Sequence, residues 1–115
     1  RPTNGKPMPT NEVSGMPDWF QEVASGLPEP HEVANSSRDA QAVWAVIRLT
    51  AQGQEAVVEA IRKLVKDNLG LTPEDRSNLS KRLARLTPRL LQREQHSRGY
   101  KYAPTRHSLE VFRTR

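Results

Sequence analysis

Three stretches with a helical spacing of apolar residues, each ended by a glycine or a proline, constrain the fold of this chain most. The first predicted helix covers about 38–51 and is ended by Gly53. The second covers about 54–68, with Gly70 just beyond its last turn. Pro88 disfavours helical backbone at the residue before it, which should end a third helix. The expected centre of the fold is therefore three consecutive short helices.

The third predicted helix, about 73–86, has a start signal and a basic face. Thr72 is expected to be its N-cap, with Pro73 in the first helical position and Asp75 two residues later. Its leucines form a narrow apolar stripe. The remaining positions carry side chains that bind anions or form hydrogen bonds: Arg76, Ser77, Asn78, Ser80, Lys81, Arg82 and Arg85.

The stretch LLQREQHSRGYKYAP after this helix predicts a β-hairpin, with strands at about 90–95 and 99–103. The letters HSRG supply turn chemistry, and Gly99 can take a positive φ. Tyr100 and Tyr102 are two apart and share one face, so we expect them to cover the core beneath the hairpin. Stacking on exposed bases is the alternative. The basic residues of the hairpin are Arg93, Arg98 and Lys101.

The first part of the chain has a different composition. Residues 1–16 are rich in Pro, Gly, Asn and Thr, and we expect a disordered arm because few apolar side chains can offset the entropy of ordering. Residues 17–35 should hold one short helix and a proline-rich linker. Trp19 and Phe20 in that helix either pack back on the domain or dock onto a partner.

The folded unit is expected to span 36–113, with Ser36 or Ser37 as the N-cap of its first helix. At its end, residues 107–112 can form either a short helix or a third strand. The chain begins at Arg1 without an initiator Met, so we expect a processed or excised fragment.

The positive charge is concentrated at one end. The net charge is +5, yet residues 76–115 hold eleven Lys or Arg against two Glu, an excess of nine. This asymmetry favours an anionic partner, nucleic acid before a membrane surface. No apolar run approaches the roughly 20 residues needed to cross a bilayer. The expected compartment is the cytoplasm, associated with the nucleoid, or the nucleus.

The residues that catalysis would need are missing or scattered. The chain has no cysteine, which excludes disulfides, thiol catalysis and thiolate zinc sites. His31, His96 and His107 lie far apart in predicted loops, so surface or phosphate-contacting roles are expected before a metal site. Ser36 and Ser80 have no neighbouring base to activate them. We therefore expect no enzyme activity, no cofactor and no metal.

The helix RSNLSKRLARL followed at once by LLQREQHSRGYKYAP resembles the recognition helix and wing of winged helix-turn-helix domains, as in MarR-type and ArsR-type repressors. The resemblance covers about residues 55–104. It implies a mainly α fold with a small β-hairpin, an α+β winged helix-turn-helix. Two departures are visible. The turn after Gly70 is about three residues longer than usual, and of the additional dimerisation helices of those repressors only the segment 17–25 could be a counterpart.

The resemblance implies sequence-specific binding to double-stranded DNA, by a transcriptional regulator or a replication, partition or mobile-element accessory factor. Dimerisation is not implied by the resemblance, but a homodimer is one option, because a monomer reads only one half-site. Base edges or nearby phosphates would be contacted by Arg76, Ser77, Asn78, Ser80 and Lys81. The DNA backbone would be contacted by Arg82 and Arg85 from the helix and by Arg93, Arg98 and Lys101 from the wing, which could also enter the minor groove.

Two other functions fit the same residues. Winged helices also serve as protein-interaction modules, and the acidic N-terminal arm with Trp19 and Phe20 could recruit a protein partner. The tyrosine-bearing hairpin could instead bind RNA or single strands.

Overall fold

The computed structural model describes residues 18–96 and 99–113, which form a mainly helical fold with one two-stranded antiparallel hairpin. This confirms the expected α+β class. The elements are α1 (Trp19–Ser25), α2 (Pro30–Val33), α3 (Arg38–Ala51), α4 (Val58–Leu64) continued by a π-helical turn (Val65–Leu69), α5 (Arg76–Leu86), β1 (Leu91–His96), β2 (Gly99–Pro104) and α6 (Glu110–Arg113).

Helix α3 is the centre of the core, because every other helix and strand β2 pack against it. The Ser37 side chain caps its first turn by accepting from the Ala40 amide at 3.1 Å, as the sequence predicts. Trp44 is fully buried, and its indole N–H donates to the Pro28 carbonyl at 2.9 Å. Nearly the whole circumference of α3 is buried, since the N-terminal segment covers the side that the other elements leave open.

The segment before α3 is more ordered than the expected linker. Pro30 begins α2 instead of only breaking the chain, because proline fits the first helical position and Glu29 and Glu32 form a capping box. Val33 is fully buried, and Phe20 and Val23 of α1 are also in the interior. Of the two alternatives for this segment, packing back on the domain is the one that the structure shows.

Helix α4 begins at Val58, four residues later than predicted. The missing part is extended, and Ala56 forms an isolated antiparallel bridge with Tyr102, whose amide donates to the Ala56 carbonyl at 2.9 Å. A pairing partner distant in sequence thus replaces the first predicted helical turn. At the other end Gly70 has a left-handed backbone with φ +68°, as predicted for the residue that ends this helix.

Helix α5 begins at Arg76, and the predicted N-cap at Thr72 is wrong. Asp75 is the N-cap, with its carboxylate accepting from the Asn78 amide at 2.8 Å. The preceding loop is held by bonds that the sequence does not reveal, such as that from Arg62 Nε to the Glu74 carbonyl at 2.8 Å. The predicted end of the helix at residue 86 is confirmed.

The hairpin forms within one residue of the predicted strand limits. Its register places Leu91 opposite Pro104 and Gln95 opposite Tyr100. For residues 107–112 the sequence allowed a short helix or a third strand, and the structure has a turn followed by the short helix α6. Ser108 holds this closing element in place, because its buried hydroxyl donates to the Leu90 carbonyl at 2.6 Å. Of the helices within residues 18–96 and 99–113, none is both long enough and apolar enough to cross a membrane.

Replacing Trp44 with Ala should lower the free energy of unfolding by about 3–5 kcal/mol, because it leaves a large cavity at the centre of the core. Trp44→Phe, which keeps a ring but removes the donor to Pro28, should cost about 1–3 kcal/mol. Urea unfolding followed by circular dichroism measures both changes. The exposed control Gln21→Ala should change stability by less than about 0.5 kcal/mol, and an equal loss in the control would contradict the central role of Trp44.

Candidate nucleic-acid interface

The first two turns of α5 expose the polar residues predicted for base or phosphate contact. Leu79, Leu83 and Leu86 point into the core and hold the helix against the rest of the domain. The opposite side is open to solvent at Arg76, Ser77, Asn78, Ser80 and Lys81. The helix therefore presents donors and acceptors at its N-terminal half. Of these side chains, that of Asn78 already donates from its Nδ2 to the Asp75 carboxylate at 3.4 Å.

An acidic residue of α4 lies beside the first basic residue of α5. Arg76 pairs with Glu59, and Glu59 also lies 3.5 Å from Arg62. The Arg76 side chain is still 72% exposed, so its guanidinium is accessible while one carboxylate partly neutralises it. Sequence reasoning missed Glu59, because the two residues lie on different helices.

Arg82 is mostly buried and joins three parts of the chain. Its Nε and one terminal nitrogen bind both carboxylate oxygens of Glu74 at 2.7 and 2.8 Å, and its other terminal nitrogen binds Asp39 at 2.5 Å. These bonds connect α5 to the loop before it and to the start of α3. The contact with the DNA backbone predicted for Arg82 would have to compete with these carboxylates.

The charges of this cluster stabilise one another. The hydrogen bond from Arg82 lowers the pKa of the Glu74 carboxyl below its usual range, against the opposite effect of partial burial. In turn the hydrogen bond to Glu74 raises the pKa of the Arg82 guanidinium. Arg85 is a weaker member, 63% exposed and 3.4 Å from Asp39, and stays accessible to a ligand.

The hairpin separates its basic residues onto two faces. Because side chains alternate along a strand, Arg93 and Tyr100 share the face of the buried Tyr102. Lys101 lies on the other face, directly opposite Glu94. The predicted wing contact at Arg98 lies outside the described residues.

The two tyrosines have different environments. Tyr102 is 3% exposed and belongs to the core, as expected for both. Tyr100 is 44% exposed, and the guanidinium carbon of Arg93 lies 4.3 Å from the centre of its ring, a cation–π contact. The prediction of a hydrophobic underside therefore holds for Tyr102 alone.

An open groove of about 740 Å³ brings α5 and the hairpin together. One side is formed by Arg76 and Ser80, and another by Arg93 and Tyr100. The beginning of α4 and the chain before it form the third side with Glu55, Val57, Val58 and Glu59. The groove brings together Arg76 and Arg93, which lie on different elements of the fold. Ser77, Asn78 and Lys81 lie on the exposed helix surface outside the groove lining.

The N-terminal aromatic residues are less suited to a partner than the sequence indicates. Phe20 is 2% exposed, and Trp19 packs against it edge to face with ring centres 6.4 Å apart. Only Trp19 retains some exposed surface for contact with a partner. Within the described ranges, no three His, Asp or Glu side chains are grouped closely enough to hold a metal ion.

Comparison with protein-family models, with curated proteins and with solved structures found no match to this chain.

Arg82→Ala should lower the free energy of unfolding by about 1–3 kcal/mol, because it leaves two carboxylates without their main partner. Arg85→Ala is the matched control, since it removes the same charge from the same helix face but only a weak, exposed ion pair. Chemical denaturation of both variants measures the difference. Equal losses would show that Arg82 acts through net charge alone.

The Glu74–Arg82 pair should also make stability depend on pH. Since the folded pKa of Glu74 is lowered, its contribution is present above the ordinary glutamate pKa and is lost as pH falls through the lowered value. Glu74→Gln should therefore be less stable than the wild type at neutral pH, with the difference vanishing in acid. Denaturation at a series of pH values tests this, and an unchanged difference in acid would contradict it. The exposed control Glu22→Gln should track the wild type throughout.

Proposed function

We propose that this protein is a winged helix-turn-helix domain that binds double-stranded DNA with α5 as recognition helix and the β1–β2 hairpin as wing. The observation that carries the proposal is the groove in which Arg76 and Ser80 of α5 face Arg93 and Tyr100 of the hairpin. The groove lining balances Arg76 and Arg93 against two glutamates, and the exposed Lys81 on the helix surface beside the groove adds positive charge suited to a polyanion. The excess of positive charge after residue 75 supports the same conclusion.

Helix α5 has the dimensions and side chains for the major groove. That groove is wide enough for one α-helix, and its base edges present a distinct pattern of donors and acceptors for each base pair. Recognition helices read these edges with residues of their N-terminal half. In α5 that half carries Arg76, Ser77, Asn78 and Ser80, all exposed to solvent. These residues are the proposed readers of sequence, and a second copy would be needed to read a second half-site.

The hairpin and the remaining basic residues would supply affinity. Lys81 on α5, and Arg93 and Lys101 on the hairpin, are the proposed phosphate contacts. With Arg93 and Lys101 on opposite faces, a hairpin lying edge-on in the minor groove could reach both backbones. Each neutralised phosphate releases counterions, so affinity should fall steeply with salt.

We leave Arg82 out of the contact set. Its carboxylate partners satisfy it within the fold, and releasing it for a phosphate would cost the bonds that connect α5 to α3. Arg85 remains a candidate, because its side chain is mostly exposed.

Binding to a duplex of about 25 base pairs, measured by fluorescence anisotropy between about 50 and 200 mM salt, tests the proposal. Lys81→Ala and Arg93→Ala should each weaken binding and reduce the slope of log affinity against log salt by about 0.9. Lys66→Ala removes the same charge from an exposed residue that lines a separate groove, and it should leave binding unchanged. No binding at low salt, or equal effects of Lys66→Ala and Lys81→Ala, would refute it.

A further inference from the structure

Tyr100 is an exposed aromatic residue that duplex binding by α5 does not require. Among the large apolar side chains of residues 18–96 and 99–113, it is the one that is openly exposed to solvent. It lines the groove between the hairpin and α5, and Arg93 lies against its ring. An aromatic ring and a guanidinium in contact offer planar surfaces on which a nucleobase can stack.

The groove has different chemistry along its sides. Arg93 provides positive charge from the hairpin side, which suits a phosphate, and Arg76 adds positive charge from the α5 side that Glu59 partly neutralises. The side nearest α4 is formed by Val57, Val58, Glu55 and Glu59. The two valines accept an uncharged ring, whereas the two carboxylates disfavour a phosphate. A volume of about 740 Å³ lies within the roughly 300–1,000 Å³ of ligand clefts. This charge distribution fits one nucleotide, with its base between the hairpin and α4 and its phosphate towards the arginines.

A paired base cannot take this position. In a duplex both faces of each base are covered by its neighbours, so only groove edges and backbone are accessible. Contact with the face of a base requires the nucleotide to leave the stack, which costs least where it is already unpaired. A fully paired duplex would therefore leave the Arg93–Tyr100 surface without a base to contact.

We propose that the groove between α5 and the hairpin receives one unpaired nucleotide, whose base stacks on the Arg93–Tyr100 pair. The protein then prefers duplexes that carry an unpaired nucleotide over fully paired ones. The inference rests on the proposed binding of duplex DNA and adds a structural preference to it. Stacking on one aromatic side chain corresponds to roughly 5- to 150-fold in affinity, and we expect a preference of that order.

The test compares two duplexes of identical sequence, one fully paired and one with a single unpaired nucleotide at its centre, by fluorescence anisotropy at constant salt. The wild type should bind the duplex with the unpaired nucleotide at least about fivefold more tightly. Tyr100→Ala should abolish this preference, and Tyr100→Phe should retain it because the ring remains. Lys101→Ala, on the other face of the hairpin, should weaken binding to both duplexes equally. Thermal melting of each variant verifies that it is folded.

The possible failures are distinguishable. Equal affinity of the wild type for both duplexes would overturn this inference and leave the proposed DNA binding intact. A preference that survives Tyr100→Ala would also overturn it, since the added flexibility of the imperfect duplex would then be the cause. No binding to either duplex would refute the proposed function and the inference together. Tighter binding to a single-stranded RNA of the same sequence would refute both in favour of an RNA target.

Discussion

The ion pair between Arg82 and Glu74, extended to Asp39, determines where the exposed face of α5 lies. The apolar contact of α5 is a narrow row of leucines, which holds the helix close to the core but constrains its rotation and tilt only weakly. Arg82 adds a directional constraint, because a planar guanidinium binding both oxygens of one carboxylate fixes distance and angle together. The direction in which Arg76 and Ser80 face therefore depends on a residue that itself faces inward.

The same residues show why total charge overstates the charge available to a ligand. Within the described part of the chain several arginines already have carboxylate partners, so the accessible positive surface is smaller than the excess counted from the sequence. These are Arg62 and Arg76 with Glu59, Arg82 with Glu74 and Asp39, Arg85 with Asp39, and Arg89 with Glu110. Lys81 and Arg93 are exposed and have no carboxylate partner among the described contacts. They therefore indicate better where an anion would bind.

The sequence predicted the elements whose causes are local. Apolar periodicity, the Ser37 cap and the turn chemistry before Gly99 predicted α3, α5 and the hairpin to within a few residues. The partners of Arg82 could not be predicted, because Asp39 lies 43 positions away. The bond from Arg62 to the loop before α5 likewise joins residues 12 positions apart. The non-helical segment before α4 depends likewise on β2, because Ala56 in this segment pairs with Tyr102. For the candidate interface, the residue types could be identified from the sequence, but their accessibility could not.

The isolated bridge between Ala56 and Tyr102 attaches the hairpin to the chain before α4, in addition to its connection to α5 and the packing of β2 against α3. The Tyr102 side chain is buried in the core, and its backbone amide donates to the Ala56 carbonyl in the connection between α3 and α4. The base of the hairpin is therefore held from two directions. Any displacement of the hairpin as a whole would be transmitted through strand β2 to the start of α4. The base of the hairpin and the start of α4 therefore form one mechanical unit, joined by the bond between Tyr102 and Ala56.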